Sequence, residues 1–252
     1  MPKQTSQQPV SKRQALKQQR VQKARQQRLI TIIAIVGIVA LFIALLIIPQ
    51  VRRANAPVGD FVQITPGAYP DATGLSIGNP DAPVKIEVFS DFKCTACAAF
   101  SESIEPQVIS ELVQNGDVFF VFRHYPFMDD RSAVKDSDLA ASASFCAAEQ
   151  NRFFDYKKIL YANMNSIVGE FSERRLIAFA DSMGLDMNAF QTCLEENKYK
   201  DDIQSDIAMA EQYQVTGTPS LFVNGQQIAP GYVPTFEQIA EAVQAALESA
   251  NQ

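Results

Sequence analysis

Val84-Lys85-Ile86-Glu87-Val88-Phe89-Ser90-Asp91-Phe92-Lys93-Cys94-Thr95-Ala96-Cys97 is the stretch from which the chain is read. Its first part is short, β-branched and aromatic, the composition of a buried strand. The period then changes. Cys97, Phe100, Ile104, Val108 and Leu112 recur at steps of three, four, four and four, the apolar stripe of a helix. The two cysteines therefore sit where a strand hands over to a helix, with Cys94 at or just before the first helical turn. That turn carries unpaired N–H groups and the positive end of the macrodipole, and both favour an anion. A thiolate is such an anion, so Cys94 is expected to have a lowered pKa and to be the attacking sulfur. Cys97, one turn on, is near enough to close a disulfide or to resolve a mixed one. Lys93 adds positive charge nearby, heavily screened if that lysine is exposed.

Two inert core cysteines, half of a structural zinc site, or a chance coincidence would give the same four letters. Zinc needs two more ligands, usually a second closely spaced pair. The chain has one histidine, His124, and its other cysteines, Cys146 and Cys193, lie far apart. The pattern favours redox chemistry over a metal site, and no motif asks for a bound cofactor.

Upstream, residues 1–28 hold eight Lys or Arg, no acid and many glutamines, too little apolar surface to fold alone. Leu29 to Ile48 is twenty residues without a charge, followed by Arg52-Arg53. Twenty helical residues span about 30 Å, the thickness of a bilayer's hydrocarbon core. A soluble helix of that kind would have to be apolar on every face. A cleaved signal peptide is the stronger rival, because Ala54-Asn55-Ala56 resembles a small-residue cleavage site. The long apolar run, the intervening arginines and Pro57 after the cut favour an uncut anchor over residues 29–49. The excess of positive charge before it keeps the N-terminus cytoplasmic and places the rest outside the cell membrane.

All 28 acidic residues but only 12 of the 22 basic ones lie beyond residue 53, a formal charge near −16 for that region. Such a balance disfavours nucleic acid and anionic lipid as partners of the exported part. An exported domain with four cysteines also lives where disulfides persist.

Residues 50–80 carry Pro57, Pro66, Pro70 and Pro80 with several glycines and are expected to be a linker, with room for a short strand near Phe61–Ile64. Asp117–Tyr125 reads as a second strand ended by Pro126, so strand, helix and strand form a βαβ unit with a parallel pair. From about 130 to 213 the pattern is helical, with Ser172 as an N-cap and Gly184 as a stop. Ser220–Val223 is a strand, Asn224-Gly225 a hairpin turn into Gln226–Ile228, and a last helix covers about Pro234 to Ala250. A thioredoxin-like α/β core over 81–252 with an inserted helical subdomain fits this order.

Four cysteines allow three pairings, and the one that leaves the active pair free joins Cys146 to Cys193. Two buried free thiols would pack equally well. Pro219, in Val215-Thr216-Gly217-Thr218-Pro219, either marks a strand start or holds a cis bond that presents the Thr218 backbone to a substrate added as an extra strand. Spacing does not choose between these. His124 is read as an ordinary strand-end residue. Glu87 is a weak candidate for a buried proton relay to Cys97.

Gly78-Asn79-Pro80-Asp81-Ala82-Pro83-Val84 together with Val88–Cys97 resembles the opening of DsbA-like thioredoxin-fold proteins. Phe145–Phe154 is similar to that family's insertion helix, and Gly217–Gly225 to its cis-proline segment. The resemblance covers about residues 75–250. It implies a membrane-tethered thiol–disulfide oxidoreductase with Cys94 as nucleophile, Cys97 as resolving cysteine and Thr218-Pro219 as the substrate-docking loop. It also implies exported client proteins, and a quinone-linked membrane partner of the DsbB or vitamin K epoxide reductase kind that reoxidises the enzyme. Thr95 and Ala96 stand where the family often has Pro and an aromatic or His, and these positions tune redox potential. Val88 holds the place of the family's usual acid. Glu87, one position earlier, falls on the opposite face of an alternating strand.

A dithiol oxidase is the leading reading. A reductase or isomerase uses the same scaffold and would have a lower potential. A metal-delivery protein using the two soft thiolates is a reading from another class, and so is a plain binding module that tolerates loss of both cysteines.

Overall fold

In the computed structural model, residues 12–54, 58–129, 134–165 and 169–250 are described. The chain divides into two units, Met1–Asn55 and Ala56–Gln252. The described residues of the first form one helix, α1 (Lys12–Ala54), so the basic segment continues helically into the apolar run from residue 12. Arg25–Ile48 within it has a mean hydropathy of 3.2, long and apolar enough to cross a membrane, and the side chains described there are largely exposed. Residues 1–11 of the basic tail lie outside the described residues, as does the part beyond Ala54 of Ala54-Asn55-Ala56, the stretch that the rival signal-peptide reading would cut.

The second unit is built on a six-stranded sheet in the order β1-β2-β4-β3-β5-β6. The strands are β1 (Ala72–Thr73), β2 (Ser76–Ile77), β3 (Val84–Ser90), β4 (Val118–His124), β5 (Ser220–Val223) and β6 (Gln226–Ile228). β3 and β4 pair in parallel, Val84 opposite Val118 through Ser90 opposite His124, and every other neighbour is antiparallel. The parallel pair needs a crossover, which α2 (Thr95–Ser103), α3 (Glu105–Val108) and a π-helical turn (Ile109–Val113) supply. The apolar stripe reads as one helix, yet the chain breaks at Ile104. Pro106, at the start of α3, has no N–H to continue the ladder.

Between β4 and β5 lie α4 (Asp136–Ala148), α5 (Phe153–Ala162), α6 (Glu173–Ser182), α7 (Met187–Glu195) and α8 (Lys200–Gln212), and α9 (Phe236–Ala250) closes the chain. Ser172 stands at the N-cap of α6 without a side-chain capping bond. Gly184, at φ +71°, follows that helix's end. Asn224 and Gly225 both have positive φ, +46° and +79°, the geometry of a two-residue hairpin turn.

The expected linker differs from what the chain does. From Val58 onward the residues belong to the domain unit: Phe61, Ile64, Tyr69 and Leu75 pack against the main core, and β1 and β2 extend the sheet. No strand forms at 61–64. Instead the backbone of Val62 donates to Asn163 Oδ1 at 2.7 Å and accepts from its Nδ2 at 2.8 Å. Apolar side chains scattered without a period among prolines can still be buried by a non-repeating backbone, provided its polar groups find side-chain partners.

Candidate active site

Alternation along β3 sends Val84, Ile86, Val88 and Ser90 to one face of the sheet and Glu87 and Phe89 to the other. Ile86 and Val88 join the main core, whereas Phe89 packs with Ala210, Val215 and Phe222 in a second cluster. The turn after Ser90 is fixed by Asp91. Its buried carboxylate accepts from the backbone N–H groups of Lys93 (2.8 Å) and Met128 (2.9 Å) and from the Ser137 hydroxyl (2.7 Å). The Cys94 N–H donates to the Asp91 carbonyl at 3.1 Å, which sets Cys94 as the N-cap of α2.

Both thiols are free and buried in the structure, Cys94 at 6% exposure and Cys97 at 1%. Cys94 Sγ accepts the Cys97 backbone N–H at 3.3 Å and, as a thiol, faces the Thr218 carbonyl at 3.2 Å. The Thr218–Pro219 peptide is cis. Cys94 is lowered from 9.0 to about 6, first by the hydrogen bond from the Cys97 thiol, then by the Thr218 side chain and the N–H groups of Cys97 and Ala96, against an opposing effect of burial. Cys97 is pushed up, chiefly by burial and then by the hydrogen bond and negative charge it shares with Cys94. One sulfur is thus primed as a thiolate while its neighbour keeps the proton.

Two other expectations change, and the reading of His124 as an ordinary strand-end residue stands. Lys93 is not exposed: its side chain is 13% accessible and its Nζ lies 3.3 Å from both Asp136 and Glu170. Its charge therefore serves two buried carboxylates rather than the thiolate. Glu87 is no relay to Cys97. It is buried on the opposite face, bound to Arg123 at 2.8 Å and Lys85 at 3.0 Å, and Arg123 also reaches Asp206 at 3.2 Å. His124 is a core residue, 1% exposed among Phe92, Phe122, Phe145 and Phe153. It lies 3.1 Å from Ser144 Oγ, and burial lowers it to about 3.

Cys146 on α4 and Cys193 on α7 are bonded to each other, with Cα atoms 5.8 Å apart. Among the described residues no group of three or more His, Cys, Asp or Glu converges as metal ligands. Sequence reasoning did not single out Ser90, which counters the upward push on the Cys97 thiol, or Tyr161, which burial and then the charge of Cys97 raise well above the usual phenol range. The alternation of β3 was the available signal for Ser90. Tyr161 comes from a helix that only the tertiary fold brings in.

A dithiol at a helix N-terminus, with the carbonyl of the residue before a cis-proline against its outer sulfur and a mixed sheet behind, defines a dithiol–disulfide exchange protein of the thioredoxin class. The thioredoxin family profile matches residues 71–245, and the chain belongs to that family as a DsbA-like thiol–disulfide oxidoreductase. It is 30% identical over 166 residues to a probable disulfide bond formation protein D of Bacillus cereus, covering 64% of this chain and 74% of that one. Over 202 residues, 79% of this chain, it is 30% identical to the Na(+)/H(+) antiporter NhaA 3 of Salinispora tropica, matching 29% of that protein. The crystal structure of oxidised BdbD from Bacillus subtilis shares the fold, with a TM-score of 0.60 at 23% identity, covering 75% of this chain and all of that one.

Proposed function

We propose that the protein is a membrane-tethered oxidase that forms disulfides in exported proteins. In this reading residues 29–49 cross the bilayer, residues 1–28 stay in the cytoplasm, and the domain works outside the cell membrane. A client thiolate attacks Cys94 of the Cys94–Cys97 disulfide, and Cys97 leaves. A second client thiolate then attacks the client sulfur of the mixed disulfide, releasing an oxidised client and a reduced enzyme. The Thr218 backbone beside Cys94 receives the client main chain, and a quinone-linked membrane partner of the DsbB or vitamin K epoxide reductase kind restores the disulfide.

The observation that carries the oxidase direction is the asymmetry of the two sulfurs. Donors converge on Cys94 and stabilise its thiolate, which exists only in the reduced enzyme, so they favour giving the disulfide away. Cys97→Ser in the full chain tests it: mixed disulfides with exported proteins should accumulate at Cys94 and vanish in Cys94→Ser/Cys97→Ser. A variant that traps nothing, or a wild-type potential at or below about −270 mV, the value of thioredoxin, would overturn the oxidase reading.

A further inference from the structure

Asp91, 1% exposed, joins the turn before Cys94 to two distant segments. Its Oδ1 accepts the Lys93 N–H at 2.8 Å and its own carbonyl accepts the Cys94 N–H at 3.1 Å, so a turn over residues 91–94 ends at the nucleophile. The same Oδ1 takes the Ser137 hydroxyl at 2.7 Å, from the first turn of α4, and Oδ2 takes the Met128 N–H at 2.9 Å, from the segment after β4. Ser137 is fixed in turn by its own N–H, which donates to the Asp129 carboxylate at 2.9 Å. Lys93 runs the same way, its ammonium 3.3 Å from Asp136, the residue before Ser137. Two consecutive residues of α4 thus grip the residues on either side of Phe92, immediately before Cys94. A turn of this kind does not need a carboxylate, since asparagine or serine makes the same local bond at less desolvation cost. What the carboxylate adds is acceptors on both oxygens. Asparagine would point its amide hydrogens either at the Met128 N–H or at the Lys93 and Ser137 donors, and one side of the network would be lost.

We propose that Asp91 is a positioning residue for the exchange reaction, using the start of α4 and the segment after β4 to hold Cys94 where its sulfur meets the N–H groups of the first turn of α2. This rests on the dithiol reading of Cys94 and Cys97. Asp91 touches neither sulfur and acts through the turn. Cys94 has φ −88° and ψ 114°, the extended N-cap conformation that brings Sγ within 3.3 Å of the Cys97 nitrogen and 3.2 Å of the Thr218 carbonyl. Both distances depend on where the turn delivers the chain. With its carboxylate satisfied on one side only, the turn still closes locally but is no longer fixed against α4 and the segment that carries Met128. A sulfur displaced from the Cys97 N–H loses a bond that favours its charged form. The charged groups around Asp91 are Asp129 in the segment after β4, Asp136 at the start of α4, Glu170 before α6 and Lys93 beside it, with the titratable Tyr161 on α5. The Lys93 ammonium is engaged by Asp136 and Glu170, so the bonds that hold the Asp91 carboxylate come from N–H and O–H donors.

Asp91→Asn and Ser137→Ala in the reduced full chain test the assignment. Ser144→Ala is the control, since Ser144 is as buried as Ser137 and on the same helix but bonds His124 and the Ala141 carbonyl instead of the turn. Iodoacetamide alkylation of Cys94 is followed by mass from pH 4.5 to 9, with urea unfolding measured alongside. The wild-type midpoint should fall at about 6. Asp91→Asn should raise it by about one pH unit, the worth of one hydrogen bond to a charged group. Removing a nearby negative charge would by itself lower the midpoint, so a rise reports the geometry. Ser137→Ala should raise it by less, and Ser144→Ala should leave it in place whatever stability it loses. A merely structural role would weaken unfolding stability and leave the alkylation midpoint where it is. An unmoved or lowered midpoint in either Asp91→Asn or Ser137→Ala would overturn the assignment, as would an equal rise in Ser144→Ala. Should Asp91→Asn not fold, Ser137→Ala decides alone. A wild-type midpoint at about 8.5, that of an ordinary thiol, would instead overturn the reading of Cys94 as a stabilised thiolate.

Discussion

The slope of the Cys94–Cys97 reduction potential against pH reads the sulfur asymmetry directly. A two-electron reduction that takes up two protons lowers the potential by about 59 mV per pH unit, and one that takes up a single proton by about 30 mV. Cys94 titrates near 6, and Cys97 stays protonated well above that. The slope should therefore be about 59 mV per pH unit below pH 6 and about 30 mV from there to at least pH 8.5. At pH 7 the ionised Cys94 stabilises the reduced enzyme by about 1.4 kcal/mol, or about 30 mV of oxidising power. Thr218→Val removes the buried hydroxyl that helps to lower that sulfur, so the break should move up in pH and the potential at pH 7 should fall. The chain has no tryptophan to report the redox state by fluorescence. The assay is accordingly equilibration of the full chain with glutathione buffers followed by maleimide mass tagging. One unbroken slope of about 59 mV from pH 5 to 8.5 would refute the argument, because Cys94 would then ionise nowhere in that range. A break that Thr218→Val leaves in place would remove Thr218 from the set of thiolate donors.

Two further outcomes concern stability. His124 is held near 3 in the fold against about 6.5 when unfolded, so below pH 6.5 the unfolded chain binds a proton that the folded chain refuses. Stability lost to this group should amount to about 1.4 kcal/mol per pH unit between 6.5 and 3, and urea melts of His124→Gln should lack that component. Asp91 and Asp206, raised by burial, act in the opposite sense in both proteins, so the comparison isolates His124; identical slopes for the two proteins would contradict it. Replacing both Cys146 and Cys193 by serine opens a loop with a sequence separation of 47 and should lower unfolding stability by about 4 kcal/mol, while Cys94 alkylates at its usual rate.

What the sequence made legible was local. The strand-to-helix handover at Cys94 needs only a change of period, and the hairpin at Asn224-Gly225 needs only two residues that tolerate positive φ. What stayed hidden depended on partners far along the chain. Lys93 reads as a surface charge until Asp136 and Glu170 arrive from 43 and 77 positions away. Glu87 reads as a relay candidate until the register of β3 on β4 and the packing of α8 supply Arg123 and Asp206 on the other face. The aperiodic segment after Val58 gives no signal to either template, because its burial rests on single side chains and on Asn163, not on a repeat.

These long-range contacts also explain how two cysteines a turn apart acquire opposite characters. Burial raises both thiols, so burial alone cannot separate them. The donors separate them. Cys94 sits at the N-cap, where backbone N–H groups are free, and opposite Thr218. Cys97 lies inside the first turn, where its own N–H is turned toward Cys94 and its sulfur faces the sheet. The proton the pair retains therefore resides on Cys97 and becomes one more donor to Cys94, so the two titrate as a unit. On this account the side chains of Thr95 and Ala96 have a smaller part in setting the potential than the loop ending at Pro219. Exchanging that loop should accordingly alter the chemistry more than exchanging the dipeptide between the cysteines.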